Sequence, residues 1–97
     1  MEIVLNTFGS HLGTRFAAAE LRNKVVSQSD FSEKLIFDFS GVDSISDSFA
    51  DEFFGKLSIE LEDKEIWNNS VFKNASTFII SAIQKAVKNR SSKTVFA

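Results

Sequence analysis

KLIFDFSGVDSISDSFADEFFGKLSIEL, residues 34–61, is the stretch that decides the fold. Its first segment, residues 35–39, is nearly unbroken in apolar character, which is typical of a strand covered on both faces. Residues 40–48 are small, polar and turn-forming, and from Phe49 the apolar side chains recur at helical spacing. The stretch therefore predicts a strand in the middle of a sheet, then a loop, then a helix.

The segments before this stretch predict a first strand and a first helix. Residues 2–6 are rich in β-favouring side chains, and residues 15–27 have helical periodicity. One face of that helix is apolar and should pack on the sheet; it comprises Ala17, Ala18, Leu21 and Val25.

The segments after it predict a further strand and a third helix. Residues 65–73 suit a weaker strand, and Asn74 is expected to cap a helix over residues 75–90. Residues 93–97 have strand propensity and could instead be a frayed end. The βαβαβα order predicts a small α/β sandwich with helices packed on a mainly parallel or mixed sheet.

Composition limits the classes of protein to consider. Ninety-seven residues suffice for one domain, residues 1–97, with a core but no second domain. The chain has no cysteine and no long apolar run, so we expect a cytoplasmic protein without disulfides or a membrane span. A net charge of −2 without a concentrated basic face argues against nucleic-acid binding. Eleven Phe residues are expected mainly to fill a dense core, whereas exposed Phe would indicate a docking surface.

The string FDFSGVDSISDSFADEFFGKL, residues 37–57, resembles the core signature of STAS domains. That is the fold of bacterial anti-sigma factor antagonists, in which Asp-Leu-Ser-Gly-Val ends a strand and Asp-Ser-Ser-Gly starts a helix. The string is still more similar to a STAS-like family without assigned function, in which Ser-Phe-Ala-Asp-Glu replaces the usual helix opening. The resemblance implies a STAS-like sandwich and a regulatory protein of bacterial or phage origin.

Ser46, Asp47 and Ser48 are the foremost candidates for function. A helix N-terminus offers unpaired amides and a partial positive charge, so a serine there can cap the helix or carry a phosphate. Ser48 followed by Asp51 three residues later fits a capping box, which favours a cap at Ser48. The sequence leaves capping and modification open as alternatives.

Asp47 marks a departure from the STAS pattern. The resemblance places Asp47 where antagonists carry their phosphorylated serine, and an aspartate cannot accept phosphate in that way. Asp43, Asp51 and Glu52 make the same rim acidic, so a phosphate nearby would meet like-charge repulsion. This favours a constitutive surface that a partner reads by its charge.

Asp51, Glu52 and Lys56 are expected on the solvent side of the helix, because its other side carries the apolar residues. The resemblance implies that this helix and the loop before it meet a partner kinase. We therefore interpret the edge from Ser46 to Lys56 as the docking face.

Asp38 and Gly41 are expected to shape the loop. A carboxylate inside an apolar strand needs partners, so Asp38 should accept backbone amides from residues 41–44 or pair with a basic side chain. A catalytic role for Asp38 is the weaker alternative.

The loop after the first strand is a weaker candidate site for an anion. Gly9, Ser10, Gly13 and Arg15 lie between a strand and a helix, as in phosphate-binding loops, but neither a Walker nor a dinucleotide motif is present. Arg15 opposes the dipole of its helix and should meet an anion, such as Asp43, Asp47 or a partner's carboxylate. His11 is the sole histidine, so no metal site or catalytic triad is expected.

Three hypotheses of function follow. The first is a non-enzymatic regulatory module that switches between partners; by resemblance, its partner is a histidine-kinase-like ATPase or an anti-sigma-type regulator. The second is a sensor of a small ligand or anion in a crevice between the loops of residues 9–15 and 43–48. The third is a phage or mobile-element inhibitor with this fold. No enzyme, cofactor, nucleic-acid or membrane partner is expected, and the protein should be a monomer or a weak homodimer.

Overall fold

The computed structural model describes residues 1–28, 34–61 and 67–95, which form a layer of parallel strands and a layer of helices. In chain order the strands are β1 (Glu2–Val4), β2 (His11–Leu12), β3 (Ile36–Asp38), β4 (Ser44–Ile45) and β5 (Val71–Lys73). The α-helices are α1 (Arg15–Gln28), α2 (Asp47–Ala50), α3 (Lys56–Glu60) and α4 (Thr77–Val95). A 3₁₀ turn at Leu5–Phe8 follows β1, and a π-helical turn at Asp51–Gly55 joins α2 to α3.

The central strand lies where the sequence predicted it. The main sheet has the order β1-β3-β5 and all its pairings are parallel, so β3 has a neighbour on each side. A second parallel pair, β2 with β4, was not predicted. It joins the two loops that follow β1 and β3.

The helices share one face of the sheet. Each step from β1 to β3 to β5 moves one strand in the same direction, and right-handed crossovers then place the connecting helices on the same side. Residues 47–60 (α2, the π turn and α3), here called the middle helix, pack between α1 and α4. The α/β class and the STAS-like architecture predicted from the sequence are confirmed.

Phenylalanine dominates the core between the two layers. Phe37 is fully buried, its ring lies 5.9 Å from that of Phe53 and 5.2 Å from that of Phe54 in edge contacts, and it stacks on Phe72 at 5.3 Å. Each buried Phe contributes about 1.5 to 3 kcal/mol of burial free energy, before any gain from ring geometry. The prediction of a dense Phe core is confirmed for these residues, whereas Phe16 and Phe78 are exposed.

The first helix agrees with its prediction almost residue for residue. It begins at Arg15, where the Thr14 hydroxyl accepts a hydrogen bond from the Ala17 amide at 3.2 Å. Ala18, Leu21 and Val25 are buried on its predicted apolar face. The first strand, in contrast, ends at Val4, because the chain turns into the 3₁₀ segment.

The C-terminal third of the chain departs from the prediction in three places. Ser76, not Asn74, caps α4, because its hydroxyl accepts from the Ile79 amide at 3.2 Å, while Asn74 has a left-handed backbone (φ 58°). Trp67 and Asn68 are helical, so within the described part of the predicted strand, residues 67–73, only Val71–Lys73 is a strand. The predicted C-terminal strand is wrong for residues 93–95, which continue α4. Residues 65, 66, 96 and 97 of these predictions lie outside the described residues.

None of the helices in the described ranges is long and apolar enough to cross a membrane.

Candidate functional site

Ser46 fixes the corner where the middle helix begins. Its backbone is extended, and its hydroxyl oxygen accepts from the Phe49 amide at 3.0 Å, which makes it the N-cap. The same hydroxyl donates to the Gly13 carbonyl at 2.9 Å. The Ser46 hydroxyl thus donates one hydrogen bond and accepts another. The prediction of a cap at Ser48 is wrong, because the cap lies two residues earlier.

Asp47 and Ser48 form the first turn of the middle helix and remain accessible. The Asp47 side chain is 78% exposed, and its carboxylate lies 3.5 Å from the ammonium of Lys85 on α4. An acid at the first helical position is favoured by the helix dipole, so Asp47 is stable there without burial. Ser48 is half-buried and takes no part in capping.

A cleft of about 280 Å³ opens beside these two residues, between α1, the middle helix and α4. We call it the helix-start cleft. Its lining residues are Arg15, Asp47, Ser48, Asp51, Ala82, Lys85, Ala86 and Asn89. Lys85 and Asn89 were not singled out from the sequence, because their spacing on a helix C-terminal half is equally typical of a solvated face.

The sequence predicted Asp51 on the solvent side of the helix, and this prediction is wrong. Its side chain is only 20% exposed, and the Arg90 guanidinium donates two hydrogen bonds to its two carboxylate oxygens, both at 2.7 Å. Arg15 donates a third at 2.9 Å. The paired bonds from Arg90, with the further bond from Arg15, hold the pKa of the Asp51 carboxyl well below its ordinary value.

Glu52 is likewise buried rather than solvent-facing, with a side chain 9% exposed. It accepts from Lys56 at 2.9 Å and from Arg22 at 3.2 Å, and Arg15 lies 3.4 Å away. Burial acts to raise the pKa of Glu52, but the hydrogen bond from Lys56 and the charges of Lys56 and Arg22 outweigh it, so the pKa is lowered.

These contacts form one ion-pair network between the three helices, which we call the ionic seam. It consists of Asp51 and Glu52 with their basic partners Arg15, Arg22, Lys56 and Arg90. Arg22 also donates to Glu60 at 3.2 Å, while its buried Nε has no hydrogen-bond partner within the part of the chain that is described. Two residues of the seam, Arg15 and Asp51, also line the helix-start cleft.

The two consecutive acids lie in the π turn, and each contacts a different neighbouring helix. The Lys56 amide bonds the Asp51 carbonyl five residues back, so this turn is wider than an α-helical one. Asp51 then faces α4 while Glu52 faces α1. A regular helical wheel assigns both residues to the outer face, so periodicity alone could not have located them.

Arg15 meets an anion, but not the one expected. Its partners are Asp51 and Glu52 rather than Asp43 or Asp47. These hydrogen bonds, led by the one to Asp51, raise the pKa of Arg15. A cation at the start of α1 is therefore balanced by carboxylates of the middle helix.

The crevice expected between the two loops is closed by backbone pairing. The Ser10 carbonyl accepts from the Asp43 amide at 2.8 Å, and the Leu12 carbonyl accepts from the Ser46 amide at 2.8 Å. His11 is exposed, and its ring Nδ1 lies 2.8 Å from the Ser44 hydroxyl. The carbonyls of Ser10 and Gly13 thus face the second loop as acceptors of hydrogen bonds. The anion site expected at Gly9, Ser10, Gly13 and Arg15 stays a prediction.

Asp38 and Gly41 shape the loop before the cleft. Asp38 accepts from the Ser40 amide at 3.0 Å and from the Asn74 side-chain amide at 3.1 Å, and these bonds lower its pKa, that from Asn74 most. Gly41 has φ 79°, and a Cβ there would lie 3.0 Å from the Asn6 side-chain nitrogen. A turn with this geometry favours glycine. The sequence predicted that Asp38 would bind backbone amides of residues 41–44, whereas the backbone amide that it binds is that of Ser40.

Within the described ranges, His, Asp and Glu form no group of three that could hold a metal ion. The carboxylates of the ionic seam are paired with arginine and lysine side chains instead.

The parallel sheet, the helices on one face and a polar corner at a helix start define a STAS-like protein. A family model, the STAS-like domain of unknown function (DUF4325), matches residues 17–79. The chain belongs to this family. No curated protein and no solved structure matches it.

Proposed function

We propose that this protein is a non-enzymatic regulatory module that binds a protein partner at the helix-start cleft. The observation that carries the proposal is the exposed acid Asp47, held at a capped helix start beside a polar cleft. Asp51 and Glu52 are excluded as direct contacts, since their carboxylates are already engaged in the seam. The proposed docking surface is therefore smaller than the Ser46 to Lys56 edge predicted from the sequence. It consists of the first turn of the middle helix and the adjacent face of α4.

The size and openness of the cleft favour a partner side chain over a free ligand. Pockets for small molecules usually have about 300 to 1,000 Å³, and this cleft has about 280 Å³. Six of its eight lining residues are charged or polar, and the other two are the small residues Ala82 and Ala86. A basic side chain of a partner would be attracted by Asp47 and could donate to Ser48.

The ion pair between Asp47 and Lys85 supports exchange with a partner. Both side chains are more than half exposed and their charged atoms are 3.5 Å apart. Exposed pairs of this kind typically contribute about 0.2 to 1 kcal/mol, so a partner displaces Lys85 at small cost. The same step leaves Lys85 available for an acid on the partner.

The class of partner comes from the resemblance to anti-sigma factor antagonists: a histidine-kinase-like ATPase or an anti-sigma-type regulator. Because Asp47 cannot be phosphorylated as a serine can, we propose that the partner binds its carboxylate at all times, without a modification that switches binding on or off. A phosphate on Ser48 would lie between Asp47 and Asp51 and weaken this contact by repulsion.

The test is a binding titration with a histidine-kinase-like ATPase encoded next to the gene. Asp47→Lys should weaken binding by about tenfold or more, because it places like charges in contact at the interface. Glu20→Lys, a charge reversal at an exposed position of α1, is the matched control and should bind as the unaltered protein does. Equal binding by Asp47→Lys rejects the cleft as the docking site, and failure of any such ATPase to bind rejects the class of partner.

A further inference from the structure

Strand β5 is a free edge of the main sheet in the described part of the chain. It pairs with β3 alone, on one side. The Val71 amide bonds the Leu35 carbonyl and the Lys73 carbonyl accepts from the Phe39 amide, each at 2.9 Å. Since successive residues of a parallel strand bond to opposite sides, the amide and carbonyl of Phe72 point away from the sheet.

An apolar groove of about 390 Å³ runs beside this edge. We call it the edge groove. Its apolar lining residues are Trp67, Phe72, Ile83 and Val87, and its polar lining residues are Asn68, Ser70, Gln84 and Lys88. The residues of α4 concerned are on the flank of that helix that faces away from the helix-start cleft, so the two concave sites share none of their lining residues.

The groove and the free edge match in register. The Phe72 side chain faces the helical layer, where its ring stacks on Phe37 at 5.3 Å and meets Trp67 edge-on at 6.1 Å. A strand added beside β5 would place every second side chain on that same inner face. One such side chain, opposite Phe72, would enter the groove.

Charge adds a third element of recognition. Lys88 is exposed and makes no ion pair with any residue in the ranges that the structure describes. An acidic residue or terminal carboxylate of a bound strand would be attracted to it.

We propose that β5 and the edge groove form a peptide-binding site, which takes an extended segment of a partner protein as an added strand. The segment carries a large apolar side chain for the groove and an acid that meets Lys88. Main-chain hydrogen bonds to Phe72 supply affinity, and the groove supplies specificity. This site is independent of the helix-start cleft.

The probes are short synthetic peptides of alternating valine and threonine, with a central phenylalanine, leucine or isoleucine and a C-terminal aspartate. Hydrogen exchange of the Phe72 amide is followed by NMR. It should be fast in the free protein and slow when a peptide is bound. The same peptides with N-methyl groups on the residues that face β5 should not bind, and this control leaves the protein unchanged.

Two variants locate the charge and the groove. Lys88→Glu should weaken peptide binding about twofold to fivefold, as expected for an exposed ion pair. Lys85→Glu, on the opposite flank of α4, should leave peptide binding unchanged and alter only binding at the helix-start cleft. Val87→Arg should fill the groove and weaken binding by about tenfold or more.

Three results would overturn the proposal. The first is a Phe72 amide already protected in dilute free protein. The second is protection that rises with protein concentration alone, which would assign the edge to a second copy of the chain. The third is unchanged Phe72 exchange with every peptide of the set at millimolar concentration. None of these results bears on the ATPase titration.

Discussion

Asp47 and Asp51 lie one turn apart on the middle helix, and each faces a basic residue of α4, yet their surroundings differ sharply. Asp47 is 78% exposed and 3.5 Å from Lys85, whereas Asp51 is 20% exposed and receives two bonds of 2.7 Å from Arg90. One acid is accessible to solvent, and the other joins two helices. Acidic character at a helix start therefore does not by itself mark a docking surface.

The largest expected effect comes from reversing the partly buried acid. Asp51→Lys would place a third cation beside Arg15 and Arg90, and Arg90 would lose the carboxylate that it binds. We expect a loss of about 3 kcal/mol in the free energy of unfolding, the lower end of the range for removing one member of a buried pair, because Asp51 and Arg90 keep some solvent exposure. Chemical denaturation measures it. A loss below about 0.5 kcal/mol, typical of surface substitutions, would show that the seam is loose.

Gly55 tests how closely α4 packs on the middle helix. A Cβ at this position would lie 2.9 Å from the Arg90 Cγ and 3.2 Å from the Ala86 carbonyl oxygen. Alanine normally stabilises a helix by about 1 kcal/mol relative to glycine. Because Arg90 is held by Asp51, we expect Gly55→Ala to lower the free energy of unfolding by about 1 kcal/mol instead. Increased stability in a denaturation experiment would contradict this packing.

The pH dependence of stability tests the pairing of Asp51. The pKa of Asp51 is lowered in the folded protein, so the unfolded chain binds a proton there first as the pH falls. Its stabilising contribution is complete above the unfolded pKa near 4 and decreases steadily below it. Asp51→Asn should therefore lose less stability than the unaltered protein between about pH 5 and pH 2. Parallel stability curves would contradict the assigned pairing.

The smallest expected effect is that of Asp47→Lys on stability. Because the side chain is exposed, the substitution itself should change the free energy of unfolding by less than about 0.5 kcal/mol. The loss of a negative charge that favours the helix dipole should add a cost of similar size. The same variant is expected to lose partner affinity. A loss of several kcal/mol in stability would show that Asp47 belongs to the seam.

The sequence predicted the fold where a local pattern determines it. The apolar run at residues 35–39 predicted the central strand, and the spacing of Ala18, Leu21 and Val25 predicted the face of α1. These features depend on periodicity, which reports directly on burial.

The candidate site was harder to predict, because it depends on contacts between distant segments. The hydroxyl of Ser46, which caps the middle helix, also donates a hydrogen bond to the Gly13 carbonyl, and no local motif indicates this contact. The spacing of the apolar residues predicted Glu52 on the solvent side, although it pairs with Arg22, thirty residues earlier. The closing of the predicted crevice likewise results from the pairing of β2 with β4.

The measurement that tests the central claim most directly is a pair of double-mutant cycles in stability, one for Asp51 with Arg90 and one for Asp47 with Lys85. Each side chain is replaced by alanine singly and together. We predict a coupling of about 1 kcal/mol or more for the buried pair and less than about 0.5 kcal/mol for the exposed pair. Equal coupling energies, or a larger one for Asp47 with Lys85, would contradict the claim that Asp51 belongs to the ionic seam whereas Asp47 is an exposed acid with little structural role.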